Sequence, residues 1–241
     1  MERRADKMMN SERFIDLYKV LEDELEAKYR REGRPYTNTV YQFICDKESE
    51  PFREKLDLCR QIRNLITHSA EINGKAPVEP ASELIDAMNH VIAYLRRPPL
   101  AVDYAVKAEN LFKAALSDRM MWLMRRMEER GFSHVPVMDN DKLIGVFSIS
   151  SVFTFVMKRG SCVDENTRMR DILREISPES HVSERFLFAS SDATVFSVKE
   201  MFSGKKSQHE KRVAAVFITK DGTSASSLIG MITPWDLMGA V

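Results

Sequence analysis

Two short segments of the chain carry the residue types best suited to hold a small polar ligand. The first is Gly145 to Ser151 (GVFSISS) and the second, 85 positions later, is Gly230 to Asp236 (GMITPWD). In each, a glycine and two apolar residues precede a hydroxyl residue that stands where a helix needs its N-cap. Free amides beside a hydroxyl suit a phosphate, and an acid one turn later, as in the second segment, can accept two ribose hydroxyl donors.

These residue types have a second explanation that needs no ligand. Thr233 and Asp236 are also what a helix N-terminus favours as a cap and a first-turn acid. In the first segment Ser148 keeps the hydroxyl, but Ser151 replaces the acid. We therefore expect one good site rather than two.

The elements before the two segments follow one pattern. Apolar runs at 133–138 and 213–218 predict strands, and the polar turns at 139–142 and 220–223 predict hairpins. The sequence thus predicts a unit of strand, hairpin, strand and helix that is built twice.

This duplicated unit resembles the paired cystathionine-beta-synthase (CBS) domains of a Bateman module. The resemblance spans roughly residues 101–241, with a first repeat at about 101–158 and a second repeat at about 184–241. It implies two domains packed sheet to sheet, with clefts that hold an adenine nucleotide (AMP, ADP or ATP) and no further cofactor. The hydroxyl residue would meet the ribose or phosphate, and the Asp would grip the ribose hydroxyls.

The residues expected to bind the ligand follow from this resemblance. At the second cleft they are Thr233, Asp236, Val213 and Ala215, with Lys211, Arg212 and the Lys205-Lys206 loop as phosphate partners, and at the first cleft they are Ser148 and Ser151. Charged loop residues that are simply solvated are the alternative for the basic group.

Residues 1–98 predict an all-helical bundle, and 99–241 the CBS pair, so the fold class is α+β. Apolar residues recur every three or four positions over 10–32, 39–45, about 51–68 and about 80–97. The stretch from Arg96 to Pro99 is the predicted linker.

The segment from Arg63 to His68 (RNLITH) resembles the motif of HEPN (higher eukaryote and prokaryote nucleotide-binding) domains. That resemblance implies dimerisation and, in active members, RNA cleavage without a metal. His68 would transfer the proton and Arg63, with its polar neighbour Asn64, would stabilise the phosphorane. On a helix of about 100° per residue, however, Arg63 and His68 point about 140° apart, whereas Arg60 shares a face with His68. Arg60 as the partner, or a purely structural set of contacts, remain the alternatives.

Composition excludes several other classes. Lys plus Arg and Asp plus Glu both number 36, so no net charge attracts nucleic acid or an anionic membrane. We expect a cytoplasmic protein without a membrane span, since no leader or long apolar run is present. Cys45, Cys59 and Cys162 have neither disulfide nor zinc spacing, and no metal site is predicted.

A helix predicted over 117–130 carries Met120, Leu123, Met124 and Met127 on one side, which we assign to a dimer seam, with core packing as the alternative. The sequence as a whole predicts a homodimeric adenine-nucleotide sensor in which the CBS pair controls a helical effector. The alternatives are a nucleotide-gated, metal-independent ribonuclease that acts on RNA, and a dimerisation scaffold that binds no ligand.

Overall fold

In the residues of the first unit that the structure describes, the regular elements are helices, apart from one isolated bridge residue at Lys75. The computed structural model describes residues 10–71, 75–160, 162–203 and 211–239, and the chain divides between Pro98 and Pro99 into two units. In the described part of the first unit the helices are α1 (Asn10–Arg31), α2 (Thr39–Cys45), α3 (Arg53–His68) and α4 (Ser82–Arg96), with a 3-10 helix at Lys47–Ser49. The helical prediction for this region is confirmed.

The apolar stripes that predict these helices form the core of the first unit. The largest side chains that α1 and α4 bury include Phe14, Leu21, Leu25 and Met88, and Leu56 of α3 joins them. Their spacing of three, four or seven positions keeps them on one side of each helix. Burial of this stripe, rather than helix propensity, therefore accounts for most of the stability of these helices.

A polar network ties the end of α1 to the end of α2. Asp46 accepts hydrogen bonds from the Tyr29 hydroxyl at 2.9 Å and from both terminal nitrogens of Arg34 at 3.0 and 2.8 Å. The Arg34 guanidinium also lies 4.6 Å from the centroid of the Tyr29 ring. Burial raises the pKa of the Asp46 carboxyl, but the bonds from Arg34 and Tyr29 outweigh it, so this pKa lies below its ordinary value. The network is thus anchored by an ionised carboxylate.

The first repeat contains a three-stranded sheet. Its elements are β1 (Val106–Lys107), β2 (Ala114–Ala115), α5 (Met120–Arg130), β3 (His134–Asp139), β4 (Lys142–Ser148) and α6 (Ile149–Arg159), after a 3-10 helix at Ala101–Asp103. The strand order is β2-β3-β4, with β2 parallel and β4 antiparallel to β3. Asn140, with φ of 53°, makes the predicted hairpin turn.

The second repeat contains a four-stranded sheet, and one of its strands comes from the first repeat. A 3-10 helix at Met169–Ile172 leads into α7 (Leu173–Ile176), β5 (Glu184–Ser190), α8 (Val195–Ser203), β6 (Arg212–Thr219), β7 (Leu228–Ile232) and a 3-10 helix at Pro234–Leu237. The strand order is β1-β7-β6-β5, so β1 of the first repeat completes the sheet of the second. Buried residues of both sheets, among them Val146 and Phe217, share one apolar cluster. The two repeats therefore pack against each other through their sheets.

The glycine of each repeated segment is required by close backbone packing. A Cβ at Gly145 would lie 2.7 Å from the backbone oxygen of Ile176, and one at Gly230 would lie 2.9 Å from that of Val106. Neither distance leaves room for a side chain. These glycines therefore serve the fold, whatever the hydroxyl residues beside them do.

Three details differ from the sequence predictions. The helix expected after Thr233 is a single 3-10 turn, because Met238 is extended and Gly239, with φ of 106°, leaves the helical path. Strand β5 is not among the predicted strands, since its burial pattern lacks the strict alternation of a half-exposed strand. Met120, Leu123 and Met127 are buried against β3 and β4, so the dimer-seam assignment is wrong for them and core packing is correct.

Within the residues that the structure describes, no helix combines the length and the apolar character needed to cross a bilayer.

Candidate functional site

A cavity in the second unit brings together residues of both repeats. Its volume is about 370 Å³, and we call it the second-repeat cavity. Its lining residues are Ser133 and His134 at the start of β3, Phe202 of α8, Arg212, Val213 and Ala214 at the start of β6, and Thr233, Pro234 and Trp235 after β7. The cavity thus combines hydroxyls, a cation, an imidazole and an exposed indole.

Thr233 is held at this cavity by Asp236. The Thr233 backbone N–H donates to Asp236 Oδ2 at 2.7 Å, and its hydroxyl donates to the same oxygen at 2.7 Å. Asp236 itself does not line the cavity. Because only one 3-10 turn follows, the helix contributes little dipole here, and an anion would depend on side chains.

Two nitrogen-bearing side chains that line the cavity with Thr233, those of Arg212 and His134, contact the same carboxylate. Arg212 Nη2 lies 3.3 Å from Glu184 Oε1, and His134 Nε2 lies 3.0 Å from the same oxygen. Burial raises the pKa of the Glu184 carboxyl, but its contacts with His134 and Arg212 lower it more, so that the pKa lies below its ordinary value. An ionised Glu184 therefore orients both the guanidinium of Arg212 and the imidazole of His134.

A second cavity lies in the first repeat and differs in chemistry. This first-repeat cavity has a volume of about 600 Å³ and lies between the end of α5, the end of β4 and the start of α6. Most of its lining is apolar, from Met121, Met124, Met127, Phe132, Phe147, Ile149 and Val152, beside Arg125, Glu128, Gly131, Ser133 and Ser148. Arg125 is paired with Glu165 at 2.9 Å. This cavity is poorly suited to an anion.

The serines of the first repeat bond to each other. Ser148 N–H donates to Ser151 Oγ at 3.0 Å, and Ser151 Oγ donates to the Ser148 carbonyl at 2.7 Å. Both residues are buried, and Ser151 does not line the cavity. Their geometry is that of a helix cap.

The structure divides the residues predicted for the second cleft. Thr233, Arg212 and Val213 share the cavity, whereas Ala215 is buried in the cluster between the sheets. The pairing with β5 shifts register between Val213 and Ala215, and such a bulge turns the two side chains to different faces. Lys211 Nζ donates to the His181 carbonyl oxygen and does not line the cavity. Lys205 and Lys206 lie outside the described residues.

Sequence reasoning missed the other lining residues. Ser133 and His134 belong to the first repeat, 99 positions or more before Thr233, and no local pattern connects them to it. Trp235 lies inside the repeated segment, and an exposed aromatic side chain there was the available signal.

The residues predicted for RNA cleavage lie on α3, which continues regularly to His68. The Arg63 guanidinium lies 5.6 Å from the centroid of the Tyr18 ring, and Arg60 pairs with Asp57 at 2.8 Å. His68 is exposed, as is Asn64. Helical geometry keeps Arg63 and His68 about 140° apart. One chain therefore does not bring the three predicted residues together around a phosphate.

No group of three or more His, Cys, Asp or Glu side chains in the described ranges is arranged to hold a metal ion.

Comparison with known families identifies part of this fold. The model of the CBS domain family matches residues 91–158, which include α5, β3, β4 and all but the last residue of α6. The chain therefore contains a CBS domain, and the region after the helical unit has a mixed α/β, CBS-like fold. Among curated proteins, none matches this chain.

Solved structures of CBS-domain proteins are similar at low identity. CbpB in complex with c-di-AMP is 18% identical, with a TM-score of 0.43, over 58% of this chain and 83% of that chain. CBSX2 in complex with AMP is 16% identical, with a TM-score of 0.42, over 59% of this chain and 95% of that chain. A CBS-domain protein of Streptococcus pneumoniae is 15% identical, with a TM-score of 0.43, over 57% of this chain and 79% of that chain.

Proposed function

We propose that this chain is a regulatory protein that binds an adenine nucleotide (AMP, ADP or ATP) in the second-repeat cavity and passes the signal to its helical unit. The observation that carries the proposal is one cavity in which Thr233, Arg212 and Trp235 meet. These residues supply a hydroxyl, a fixed cation and an aromatic surface, as a nucleotide requires.

Each part of a nucleotide has a counterpart in the cavity. Trp235 is 77% exposed, so its ring is free to stack on a base. Among the described residues, the Arg212 guanidinium has one ion-pair partner, Glu184. Its other N–H groups can therefore donate to a phosphate. The hydroxyl oxygen of Thr233, held in place by Asp236, can accept a ribose hydroxyl. A volume of about 370 Å³ lies within the usual range for small-ligand pockets of roughly 300–1,000 Å³.

We also propose that the protein acts as a homodimer through α6. Ile149, Phe153 and Met157 follow one another at intervals of four residues and are 75%, 66% and 68% exposed. Such a stripe on one helix face exposes apolar area that a second copy would remove from water. We thus assign the dimer seam to α6 rather than to the buried residues Met120, Leu123 and Met127 of α5.

Control of the helical unit requires that the nucleotide bind one arrangement of the protein better than another. RNA and the ribonuclease reaction are not part of this proposal, because the geometry of α3 offers them no assembled site.

Thermal unfolding with AMP, ADP and ATP tests the proposal. Ligand at about 100 times its Kd should stabilise the folded protein by about 2.7 kcal/mol, with a matching rise in Tm. Arg212→Ala should abolish most of this rise. Lys220→Ala removes the same charge just beyond the opposite end of β6 and should leave the rise intact. No rise with any of the three nucleotides would refute the proposed function.

A further inference from the structure

A histidine of the first repeat reaches into the cavity of the second. His134, at the start of β3, lines the second-repeat cavity, although its side chain is only 13% exposed. Its Nδ1 lies 2.8 Å from the Ser133 hydroxyl oxygen, and its Nε2 lies 3.0 Å from Glu184 Oε1. Nδ1 therefore has a hydrogen-bond partner that can donate or accept, whereas Nε2 lies beside a carboxylate, which has no proton to donate, without a well-aligned hydrogen bond.

These contacts decide which way the Ser133 hydroxyl points. A carboxylate has only acceptors, so the nitrogen beside Glu184 carries the proton in the neutral imidazole. Nδ1 is then the acceptor, and the Ser133 O–H points at it. When the imidazole gains a second proton, Nδ1–H becomes the donor. The Ser133 O–H is then released toward the cavity.

We propose that His134 and Ser133 together form a proton-dependent phosphate contact, through which the first repeat strengthens nucleotide binding in the second-repeat cavity at lower pH. This inference rests on the proposed function. In the neutral state Ser133 presents lone pairs to an incoming phosphate. In the protonated state it presents an O–H donor, and the imidazolium adds a positive charge beside Arg212.

The titratable groups around His134 each keep one charge state near pH 7. Glu184 of β5 stays ionised, since its contacts with His134 and Arg212 of β6 overcome the effect of burial and keep its pKa below the ordinary value. His181, before β5, is 2% exposed, and burial lowers its pKa, so it stays neutral near pH 7. The centroid of the Phe186 ring lies 5.6 Å from that of the His134 ring and 4.8 Å from that of the His181 ring. Imidazole is the side chain that ordinarily changes charge between about pH 5 and 8.

Calorimetric titration with AMP at pH 6.0 and pH 8.0, on the full chain and on His134→Gln, tests the proposal. Glutamine can donate to Glu184 and accept from Ser133, and it therefore imitates the neutral imidazole at every pH. The wild type should bind AMP about tenfold more tightly than the variant at pH 6.0 and within about twofold at pH 8.0. The phosphate of AMP titrates near pH 6 itself, but this change is common to both proteins and cancels in their ratio.

Adenosine and Ser133→Ala complete the design. Adenosine lacks the phosphate, so its affinity should depend neither on pH nor on His134. Ser133→Ala should lose part of the factor that His134→Gln loses at pH 6.0, because it removes the O–H donor but keeps the imidazolium, with circular dichroism to show that each variant is folded. If the ratio of the AMP affinities of the wild type and His134→Gln is the same at both pH values, the proposed contact is refuted but the proposed function is not. A pH effect that persists with adenosine also overturns the contact. Absence of AMP binding in every protein at both pH values refutes the proposed function as well.

Discussion

Asp236 grips Thr233 twice, with a single carboxylate oxygen accepting both the backbone N–H and the hydroxyl of Thr233 at 2.7 Å. Sequence reasoning assigns the two residues separate tasks on a ligand. In the structure the first task of Asp236 is to orient Thr233. Its other oxygen has no contact in the described part of the chain.

Removal of Asp236 should therefore affect both binding and stability. Asp236→Ala frees the Thr233 side chain to rotate, and we expect the affinity for AMP to fall about tenfold or more in calorimetric titration. The loss of the cap should also lower the free energy of unfolding by about 0.5–2 kcal/mol in urea. Thr194→Ala removes the hydroxyl that accepts from Ser197 N–H at the start of α8, a comparable cap in the same repeat. If this control weakens AMP binding equally, Asp236 has no specific role in the site.

Trp235 should report the bound base by fluorescence. The chain has two tryptophans, so Trp122→Phe leaves Trp235 as the sole reporter. A base stacked on the exposed indole would shield it, and the acrylamide quenching constant should fall by about half when AMP saturates the cavity. Trp235→Phe should keep some stacking, and Trp235→Ala should weaken AMP binding by about 1–3 kcal/mol. Unchanged quenching at saturating AMP would show that the base lies elsewhere.

The exposed stripe of α6 should govern the oligomeric state. Phe153→Glu places a charge in the middle of this stripe, and we expect the variant to sediment as a monomer at concentrations where the wild type is a dimer. Lys158→Glu also changes a charge on α6, but on a different face, and should sediment like the wild type. A dimer that survives Phe153→Glu would place the seam on another surface.

The Asp46 network should make the stability of the protein depend on pH. Because the pKa of Asp46 lies below its ordinary value in the folded protein, its stabilising effect is present above the unfolded value of about 3.9. That effect is lost as the pH falls through the folded value. Unfolding in urea should therefore separate wild type from Asp46→Asn at pH 7 and bring them together toward pH 3.

Arg34→Gln removes the ion pair from the other side and should give the same convergence. Parallel stability curves for wild type and Asp46→Asn over this range would contradict the assignment.

His68 offers a test of the catalytic alternative. Since α3 holds Arg63 and His68 on different faces, we expect wild type and His68→Ala to leave RNA intact to the same degree in the presence of EDTA. Cleavage by the wild type that His68→Ala abolishes would instead establish the ribonuclease function, with its site assembled in a way that one chain does not show.

The sequence by itself determined the elements whose signal is local. The stripe from Leu84 to Leu95 on α4 and the hairpin turn at Asn140 depend on residues close in the chain, and so does the repeated segment that contains Thr233. Periodicity and turn chemistry suffice for them because the spacing of the apolar residues indicates which face of each element is buried. The helical region was predictable on this basis, and the CBS-like fold was predictable from the resemblance that the repeated segments carry.

Only the tertiary structure decided the composition of the cavity. The packing of the two sheets brings His134 to Arg212, and a register shift in β6 separates Val213 from Ala215. Each of these outcomes depends on contacts between distant residues or on backbone irregularities. Neither leaves a periodic trace in the sequence, and for this reason the walls of the site could not be predicted although its motif could.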